Sequence, residues 1–254
     1  MTRHLTDHAV LTFDCYGTLI DWETGIWEAL QPLLATNPHF EGSRHQALVA
    51  FDRLEAAQQS ATPAVGYPGI LECVHRSLAE EFGLTTSPEM DAAFGGSVPD
   101  WPAFPDSSDA LTVLAGRFDL VILSNVDRAG FAASNARLGV DFDAIYTAED
   151  IGSYKPDPAN FEYMLSHLAA DLGHDREAVL HTAQSIRHDH IPARRLGLDN
   201  AWIDRQRRSE EDGWDAGWSR PDHVFFTMAE MAEAVAAEES GRGPDPGRSV
   251  SSRP

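Results

Sequence analysis

Thr12-Phe13-Asp14-Cys15-Tyr16-Gly17-Thr18-Leu19-Ile20-Asp21 is the stretch that decides the fold of this 254-residue chain. The apolar, β-branched run over residues 9–13 predicts a buried strand, and it stops abruptly at an acid. Gly17 then supplies the backbone freedom of a tight turn, which places Asp14 at the carboxyl end of that strand. Open α/β sheets bind their ligands at this edge. A carboxylate held there can act as a nucleophile, although an isolated acid at a strand end more often only caps a turn.

The residues after this stretch follow two kinds of pattern. From Trp22 to about Gly96, apolar residues recur at helical spacing, and Pro- and Gly-containing breaks divide the segment into about four helices. From Val98 onward, short apolar strands alternate with helices. The predicted strands cover residues 120–123, 144–147, 179–182, 201–203 and 223–226. Repeated right-handed crossovers predict an α/β fold, a Rossmann-like parallel sheet core flanked by helices, with an inserted all-helical cap.

These patterns divide the chain into a core, a cap and a tail. Residues 1–20 and 97–237 are predicted to form the α/β core, and residues 21–96 the helical cap. A helical insertion directly after the first strand is expected to cover the sheet edge where Asp14 lies. Residues 238–254 lack apolar periodicity and contain a Gly-, Pro- and Ser-rich end, so they are predicted to be disordered.

Charge and cysteine content restrict the partners and the compartment. With 19 basic and 40 acidic side chains, the formal charge is −21, which argues against nucleic acid and anionic membranes as partners. Cys15 and Cys73 are too few for a disulfide framework, which favours a reducing, cytoplasmic location. Neither a secretion leader nor an apolar run of about 18 residues is present, so we expect no membrane span.

Three later stretches put polar side chains where predicted strands end. Ser124 and Asn125 follow the second strand and offer a hydroxyl and an amide. Lys155, in Ser-Tyr-Lys-Pro-Asp-Pro, is a cation just before a proline that starts a helix. Gln184 and Asp189 lie five residues apart in the turn after the fourth strand. Each stretch is weak evidence alone, but together they lie on the sheet edge that carries ligands in such folds.

In this order and on successive strand ends, these residues resemble the motifs of the haloacid dehalogenase superfamily, over nearly all the chain except its tail. The first motif, Asp-x-Asp-x-Thr, stands here as Asp14-Cys15-Tyr16-Gly17-Thr18, with Tyr16 where phosphatases of the superfamily keep a second Asp. In the fourth motif, where phosphatases usually show Gly-Asp-Ser, this chain has Gln184 followed by Ser185, and only Asp189 survives of two acids. Tyr16, the Ser-Asn pair and Tyr-Lys-Pro-Asp look like the type II branch, the (S)-2-haloacid dehalogenases.

Both departures from the phosphatase motifs bear on the chemistry. Such a phosphatase holds Mg²⁺ with several oxygen ligands, and Tyr16 and Gln184 remove two anionic positions from that site. The missing acid of the first motif is also the proton donor to the leaving alcohol, and a phenol with a pKa near ~10 is a poor substitute. A halide leaves without a proton. The sequence therefore favours a hydrolase acting on carbon–halide bonds, with a phosphatase for a small phosphate ester as the alternative.

The resemblance implies a two-step mechanism with no metal and no other cofactor. Asp14 would displace halide from Cα of a short 2-haloalkanoate, and water would hydrolyse the resulting aspartyl ester to the 2-hydroxy acid. Lys155 would lie between Asp14 and Asp189 and offset their mutual repulsion. Asp189 would orient or activate the hydrolytic water.

The resemblance also implies binding roles for the neighbouring residues. Thr18 and Ser124 would bind Asp14 or the carboxylate of the small anionic, halogenated substrate. Asn125 would line the halide side. The turn amides after Asp14, in the segment that contains Cys15 and Tyr16, would bind the substrate carboxylate.

Halide binding by the cap is harder to assign from the sequence. Dehalogenases of this branch carry a cap arginine that draws off the halide, and Arg44 and Arg53 both fall in the right region. The strongly helical surroundings of Arg53 favour it slightly over Arg44, although an exposed arginine paired with a neighbouring acid is an equal alternative. These dehalogenases also carry a tyrosine six residues after the lysine, where this chain has Phe161.

The residues that handle water are expected to differ from the family pattern too. Gln184 and Ile186 stand where the dehalogenases have serine and asparagine, while Ser185 and His188 lie within the same turn. His188, beside Asp189, is a candidate to take over part of this role, and backbone hydrogen bonding is the equal alternative. Trp22 is a candidate wall of the pocket, although a Trp on a cap helix more often only packs.

Some properties stay open at this point. The sequence specifies neither the halogen, nor the length of the acid, nor the oligomeric state, for which a homodimer is one candidate. Opening of a strained ring α to a carboxylate is another use of the same site. A non-enzymatic binding protein is the least favoured alternative, because the nucleophile and its partners are all present.

Overall fold

The computed structural model describes residues 3–210 and 221–241 of the chain. Its strands are β1 (Val10–Phe13), β2 (Asp119–Ser124), β3 (Ala144–Thr147), β4 (Val179–Ala183), β5 (Asp199–Ile203) and β6 (His223–Phe225). They form one parallel sheet in the order β3-β2-β1-β4-β5-β6. The predicted strands and the parallel sheet are confirmed, because short apolar runs between helices are a strong signal for buried parallel strands.

The first strand lies in the middle of the sheet. Val10 is in register with Asp119 on one side and Val179 on the other, and Phe13 with Ile122 and Thr182. Strands β2 and β4 flank β1 and run parallel to it. The segments that follow these three strands therefore lie at the same edge of the sheet. Asp14, the residue after β1, is therefore at the centre of that edge.

Helices cover both faces of the sheet. They are α6 (Ser107–Ala115), α7 (Arg128–Leu138), α8 (Ala148–Ile151), α9 (Pro158–His167), α10 (Ile191–Arg195) and α11 (Met228–Glu239). One hydrophobic cluster joins α6, α7 and α11 to the sheet face that carries Leu11 and Phe13, and a second joins α9 and α10 to the face that carries Val10. No helix of the described residues combines the length and the apolarity that a membrane span needs.

Five α-helices lie in the segment from Trp22 to Gly95, between β1 and α6, one more than the breaks in the sequence suggested. They are α1 (Trp22–Ala29), α2 (Gln31–Thr36), α3 (Arg44–Ala61), α4 (Tyr67–Glu81) and α5 (Pro88–Gly95). Pro32 in the first turn of α2 separates it from α1, because proline has no N–H to continue the preceding helix. The division of the chain at residues 20/21 and 96/97 into core and cap domains stays a prediction.

Order at the C-terminal end extends further than predicted. Helix α11 runs to Glu239, and Glu238 accepts hydrogen bonds from the backbone N–H groups of Leu5 and Thr6 at 3.3 and 3.0 Å. This contact fixes the start of the segment that was predicted to be disordered from residue 238. The rest of that segment, residues 242–254, lies outside the described residues.

Candidate active site

Asp14 is fixed by the turn that follows β1. Its backbone N–H donates to the carbonyl of Thr182 at 3.1 Å, and Gly17 takes the positive φ of 94° that the turn requires. The Thr18 hydroxyl donates to Oδ2 of Asp14 at 2.8 Å and accepts the N–H of Gln184 at 2.9 Å. The carboxylate of Asp14 is thus held between two strand ends.

Lys155 joins the two acids of the site. Its Nζ donates to Oδ1 of Asp14 at 2.9 Å, to Oδ1 of Asp189 at 2.7 Å and to the carbonyl of Leu123 at 2.8 Å. An ammonium group has three N–H donors, so all of them are used. Lys155 is the only lysine in the sequence and is 2% exposed. Lysine is rarely buried to this extent unless it is paired with acids, as it is here.

Asn125 holds the backbone of this lysine. Its Nδ2 donates to the carbonyl of Lys155 at 3.0 Å, and its Oδ1 accepts the N–H of Lys155 at 2.6 Å. The amide of Asn125 therefore ties the end of β2 to the loop before α9. The sequence analysis did not predict these two hydrogen bonds. It did place Asn125 on the wall of the site, and Asn125 lines the cavity.

Burial and the shared cation set the charges of the two acids. Burial raises the pKa of Asp14, and Lys155 offsets only part of this, so the pKa lies above its ordinary value. Burial also acts to raise the pKa of Asp189, but Lys155 and His181 outweigh it and hold that pKa well below its ordinary value. Burial acts to lower the pKa of Lys155, and the two carboxylates outweigh it and raise that pKa. Asp14 is thus the acid that protonates first as the pH falls.

His181 is a member of this cluster that the sequence analysis missed. Its Nε2 lies 3.0 Å from Oδ1 of Asp189, and its Nδ1 lies 2.9 Å from the hydroxyl of Thr12. The ring of Phe161 packs edge-on against it with the ring centroids 5.0 Å apart. Phe161, which stands at the position of the tyrosine in the dehalogenase pattern, therefore packs against His181. A polar residue within the buried strand β4 was the signal that could have found it.

The bridged acids form the floor of a small cavity with a volume of about 90 Å³. Helices α3 and α4 cover it from the other side. The core residues that line it are Asp14, Tyr16, Asn125, Lys155, Gln184, Ser185, His188 and Asp189, and the helical insertion adds Trp22, Phe51, Asp52, Glu55, Gln59 and Tyr67.

The side of the cavity opposite Asp14 is acidic. Asp52, Glu55 and Gln59 follow one another at spacings of three and four residues, so they share one face of α3. The hydroxyl of Tyr67 donates to Oε1 of Glu55 at 2.6 Å. Burial raises the pKa of Glu55 to about 7, with contributions from Asp52 and Asp14, although the bond from Tyr67 opposes the rise. The sequence analysis did not identify these residues, although their helical spacing was visible.

Neither cap arginine lines this cavity. The side chain of Arg53 is 57% exposed and forms an ion pair with Glu81. Arg44 donates to the hydroxyl of Thr24 at 3.1 Å, at the start of α3. The prediction that Arg53 faces Asp14 is wrong, because the packing of α3 turns the adjacent Asp52 toward the cavity instead. Arg44, the alternative, does not fill the role either.

The side chains of Cys15 and Ser124 form no hydrogen bond with Asp14. The side chain of Cys15 is buried in the hydrophobic core, so this residue can offer the cavity only its backbone. Ser124 Oγ is buried with no hydrogen-bond partner among the described residues. Asp14 is instead bound by Thr18 and Lys155. Of the two predicted partners of Ser124, the contact with Asp14 is not formed, and the contact with a substrate carboxylate stays a prediction.

The other predicted binding residues reach the cavity wall. Tyr16, Trp22, Gln184, Ser185 and His188 all line it. The hydroxyl of Tyr16 is 2.9 Å from the hydroxyl of Ser134, and burial raises the pKa of this phenol well above its ordinary value. Tyr16 is thus a poor proton donor. Burial lowers the pKa of His188, which leaves this imidazole neutral near pH 7.

The donor set of the site does not fit the magnesium ion of the phosphatases. Of the acids that such a site needs, Asp14 and Asp189 are present, and Lys155 already lies within hydrogen-bonding distance of both. Tyr16 and Gln184 bring no charge to the two remaining positions. Within residues 3–210 and 221–241, no group of three or more His, Cys, Asp or Glu is arranged to hold a metal ion.

Comparison with known proteins gives the family of the chain. Residues 8–182 match the family model described as haloacid dehalogenase-like hydrolase. A search of curated proteins finds no match to the chain.

Similar solved structures include proteins of more than one kind. An L-2-haloacid dehalogenase from Xanthobacter autotrophicus is 18% identical, with a TM-score of 0.73 over 90% of this chain and 98% of its own. A defluorinating L-2-haloacid dehalogenase is 20% identical, with a TM-score of 0.75 over 92% and 99%. YfnB from Bacillus subtilis, assigned as a HAD-hydrolase and bound to magnesium, is 17% identical, with a TM-score of 0.73 over 90% and 99%. At these identities the likeness shows the fold.

Proposed function

The chain belongs to the haloacid dehalogenase-like hydrolases, and we propose that within this family it hydrolyses short 2-haloalkanoic acids to 2-hydroxy acids. The observation that carries this proposal is the bridge from Asp14 through Lys155 to Asp189 in a cavity where Tyr16 and Gln184 replace acids. The bridge supplies a carboxylate nucleophile. The replacements remove the proton donor and the anionic ligands that phosphoryl transfer requires.

In the first step, an oxygen of Asp14 attacks the carbon that bears the halogen. The new C–O bond forms as the C–halogen bond breaks, and the halide departs with the electron pair. Lys155 keeps Asp14 ionised by neutralising charge that would otherwise repel Asp189. No proton has to reach the leaving group, so the poor acidity of Tyr16 does not impede this step.

In the second step, water attacks the carbonyl carbon of the aspartyl ester. Asp189 is well suited to orient that water, because its Oδ1 binds Lys155 and His181 while its Oδ2 has no hydrogen-bond partner among the described residues. The bond between the carbonyl carbon and the alkoxy oxygen then breaks; one proton of the water passes to the alkoxy oxygen, which leaves as the hydroxyl of the product, and the other passes to solvent. The hydroxyl oxygen of the product comes from Asp14, and Asp14 regains an oxygen from water.

The two anionic groups of the reaction have different candidate partners. The substrate carboxylate is assigned to the turn amides after Asp14, as the family pattern implies. No arginine of the described residues lines the cavity, so we assign the second N–H of the Asn125 amide as the donor to the halide. The reducing, cytoplasmic setting that we propose agrees with the free thiols of Cys15 and Cys73.

The test is halide release from a panel of short 2-chloro and 2-bromo acids, with and without a chelator. We expect release to persist after chelation and to vanish in Asp14→Asn, since a neutral amide cannot form the ester. In a single turnover in ¹⁸O water, the label should enter Asp14 and be absent from the first 2-hydroxy acid formed. Strict dependence on Mg²⁺ together with release of phosphate from a phosphate ester would overturn the proposal in favour of a phosphatase.

A further inference from the structure

We infer that the acidic side of the cavity selects substrates with an ammonium group at the end remote from the halogen. Asp52, Glu55 and Gln59 of α3 face the cavity that holds Asp14, at the place where an arginine was expected. The substrate class would be short 2-halo acids with a terminal amino group. This inference rests on the proposed function, because it takes the scissile carbon to lie next to Asp14.

The charges of the cavity favour a cationic end. Among residues 3–210 and 221–241, four acids line it, namely Asp14, Asp52, Glu55 and Asp189, against the single ammonium of Lys155. Lys155 is already committed to Asp14 and Asp189. A simple haloalkanoate would bring a further negative charge without any compensating cation. A zwitterionic substrate would place its carboxylate at the turn amides and its ammonium beside Glu55 and Asp52.

The side-chain amide of Gln59, on the same face of α3, is a second observation that favours a polar ligand. Gln59 is 5% exposed, lines the cavity and makes no hydrogen bond to a described residue. The amide of Gln59 is open to the cavity rather than fully enclosed, so it can bind a polar ligand there. Its carbonyl oxygen is an acceptor that an ammonium group would use.

The number of free hydrogen-bond acceptors on this face of α3 equals the number of donors of an ammonium group. Tyr67 occupies Oε1 of Glu55 and leaves Oε2 unoccupied. Oε2 of Glu55, the carboxylate of Asp52 and the carbonyl oxygen of Gln59 are three acceptors for the three N–H donors of an ammonium group. The pKa of Glu55, which burial raises to about 7, is that of a carboxylate with no cation beside it.

Binding of two stable product analogues tests the inference without requiring turnover. The probes are 4-amino-2-hydroxybutanoate and 2-hydroxypentanoate, which differ by an ammonium in place of a methyl group. Titration calorimetry with the full chain at pH 8 should give at least about tenfold tighter binding of the amino compound, which is roughly 1.4 kcal/mol. Glu55→Gln should reduce this preference to less than about threefold, and Gln59→Leu should weaken it as well.

Glu81→Gln is the matched control, because Glu81 is an acid of the insertion that pairs with Arg53 outside the cavity. It should keep the full preference. The near-UV circular dichroism and Tm of each variant report whether it is folded. Equal binding of the two probes, binding of neither at millimolar concentration, or an unchanged preference in folded Glu55→Gln would overturn the inference. Preference for the amino probe without halide release from any 2-haloacid would instead refute the proposed function alone.

Discussion

Replacing Lys155 by methionine removes the charge between two buried acids and nearly keeps the side-chain volume. The two carboxylate oxygens lie 2.9 and 2.7 Å from Nζ, so they are no more than about 5.6 Å apart, the two bonds laid end to end. At that separation, and at an effective dielectric constant near 20, two negative charges repel by at least about 3 kcal/mol. At about 1.4 kcal/mol per factor of ten, this is roughly a hundredfold fewer molecules with both acids ionised.

Because Asp189 has the lower pKa, the proton should go to Asp14, the proposed nucleophile. We therefore expect Lys155→Met to lower kcat/KM for halide release by roughly a hundredfold or more at pH 7. The loss should shrink as the pH rises, since Asp14 then ionises again. A profile of kcat/KM against pH from about 5 to 9 would show this as a displacement of the acid limb to higher pH.

Two controls separate charge from folding. Breaking a buried ion pair costs about 3–5 kcal/mol of stability, so the Tm and near-UV circular dichroism of Lys155→Met must show a folded protein at the assay temperature. Arg137→Met removes an exposed cation of α7 that donates to the Pro99 carbonyl, outside the cavity, and should leave the pH profile unchanged. A folded Lys155→Met with activity within tenfold of the wild type and an unmoved acid limb would refute the reasoning.

Other contacts carry three shorter predictions. Arg53→Ala and Arg44→Ala should each change kcat/KM for halide release by less than about threefold, because both side chains bind groups outside the cavity; a loss above tenfold would contradict the assignment. His181→Phe should slow ester hydrolysis more than ester formation, so intact-mass spectrometry after rapid quenching should find the covalent ester; equal slowing of both steps would count against a role in the second. Burial acts to raise the pKa of Asp106, but its bonds to Arg205 and to backbone amides outweigh this and lower that pKa. Its stabilisation is present above the ordinary pKa and is lost as the pH falls through the folded value, so the Tm deficit of Asp106→Asn should be largest near pH 7 and shrink below about pH 4; a constant deficit would contradict this.

Local patterns in the sequence were sufficient to predict the strands that carry the site and the polar residues at their ends. A parallel strand that is buried on both faces must be apolar along its length, so β1, β2 and β4 are visible as short runs with a polar residue after each. Topology then brings the residues after these strands to one edge, and Asp14, Asn125 and Asp189 lie there together. Lys155 could be anticipated by its motif and by its loop position.

The direction of individual side chains was decided by tertiary packing. Arg53 and Asp52 are neighbours on a helix whose sequence is polar on more than one face. The burial of Phe51 against Trp22 and Phe94, together with that of Ala47, Leu48 and Ala50, sets the rotation of this helix. That rotation turns an acid toward Asp14 and leaves the arginine with Glu81. His181 is a similar case, because strand alternation allows it either sheet face until β4 has docked beside β1. The sequence therefore determined where Asp14 and the strands around it lie. The charges that line the cavity depend on how a helix and a strand are rotated, and long-range contacts set those rotations.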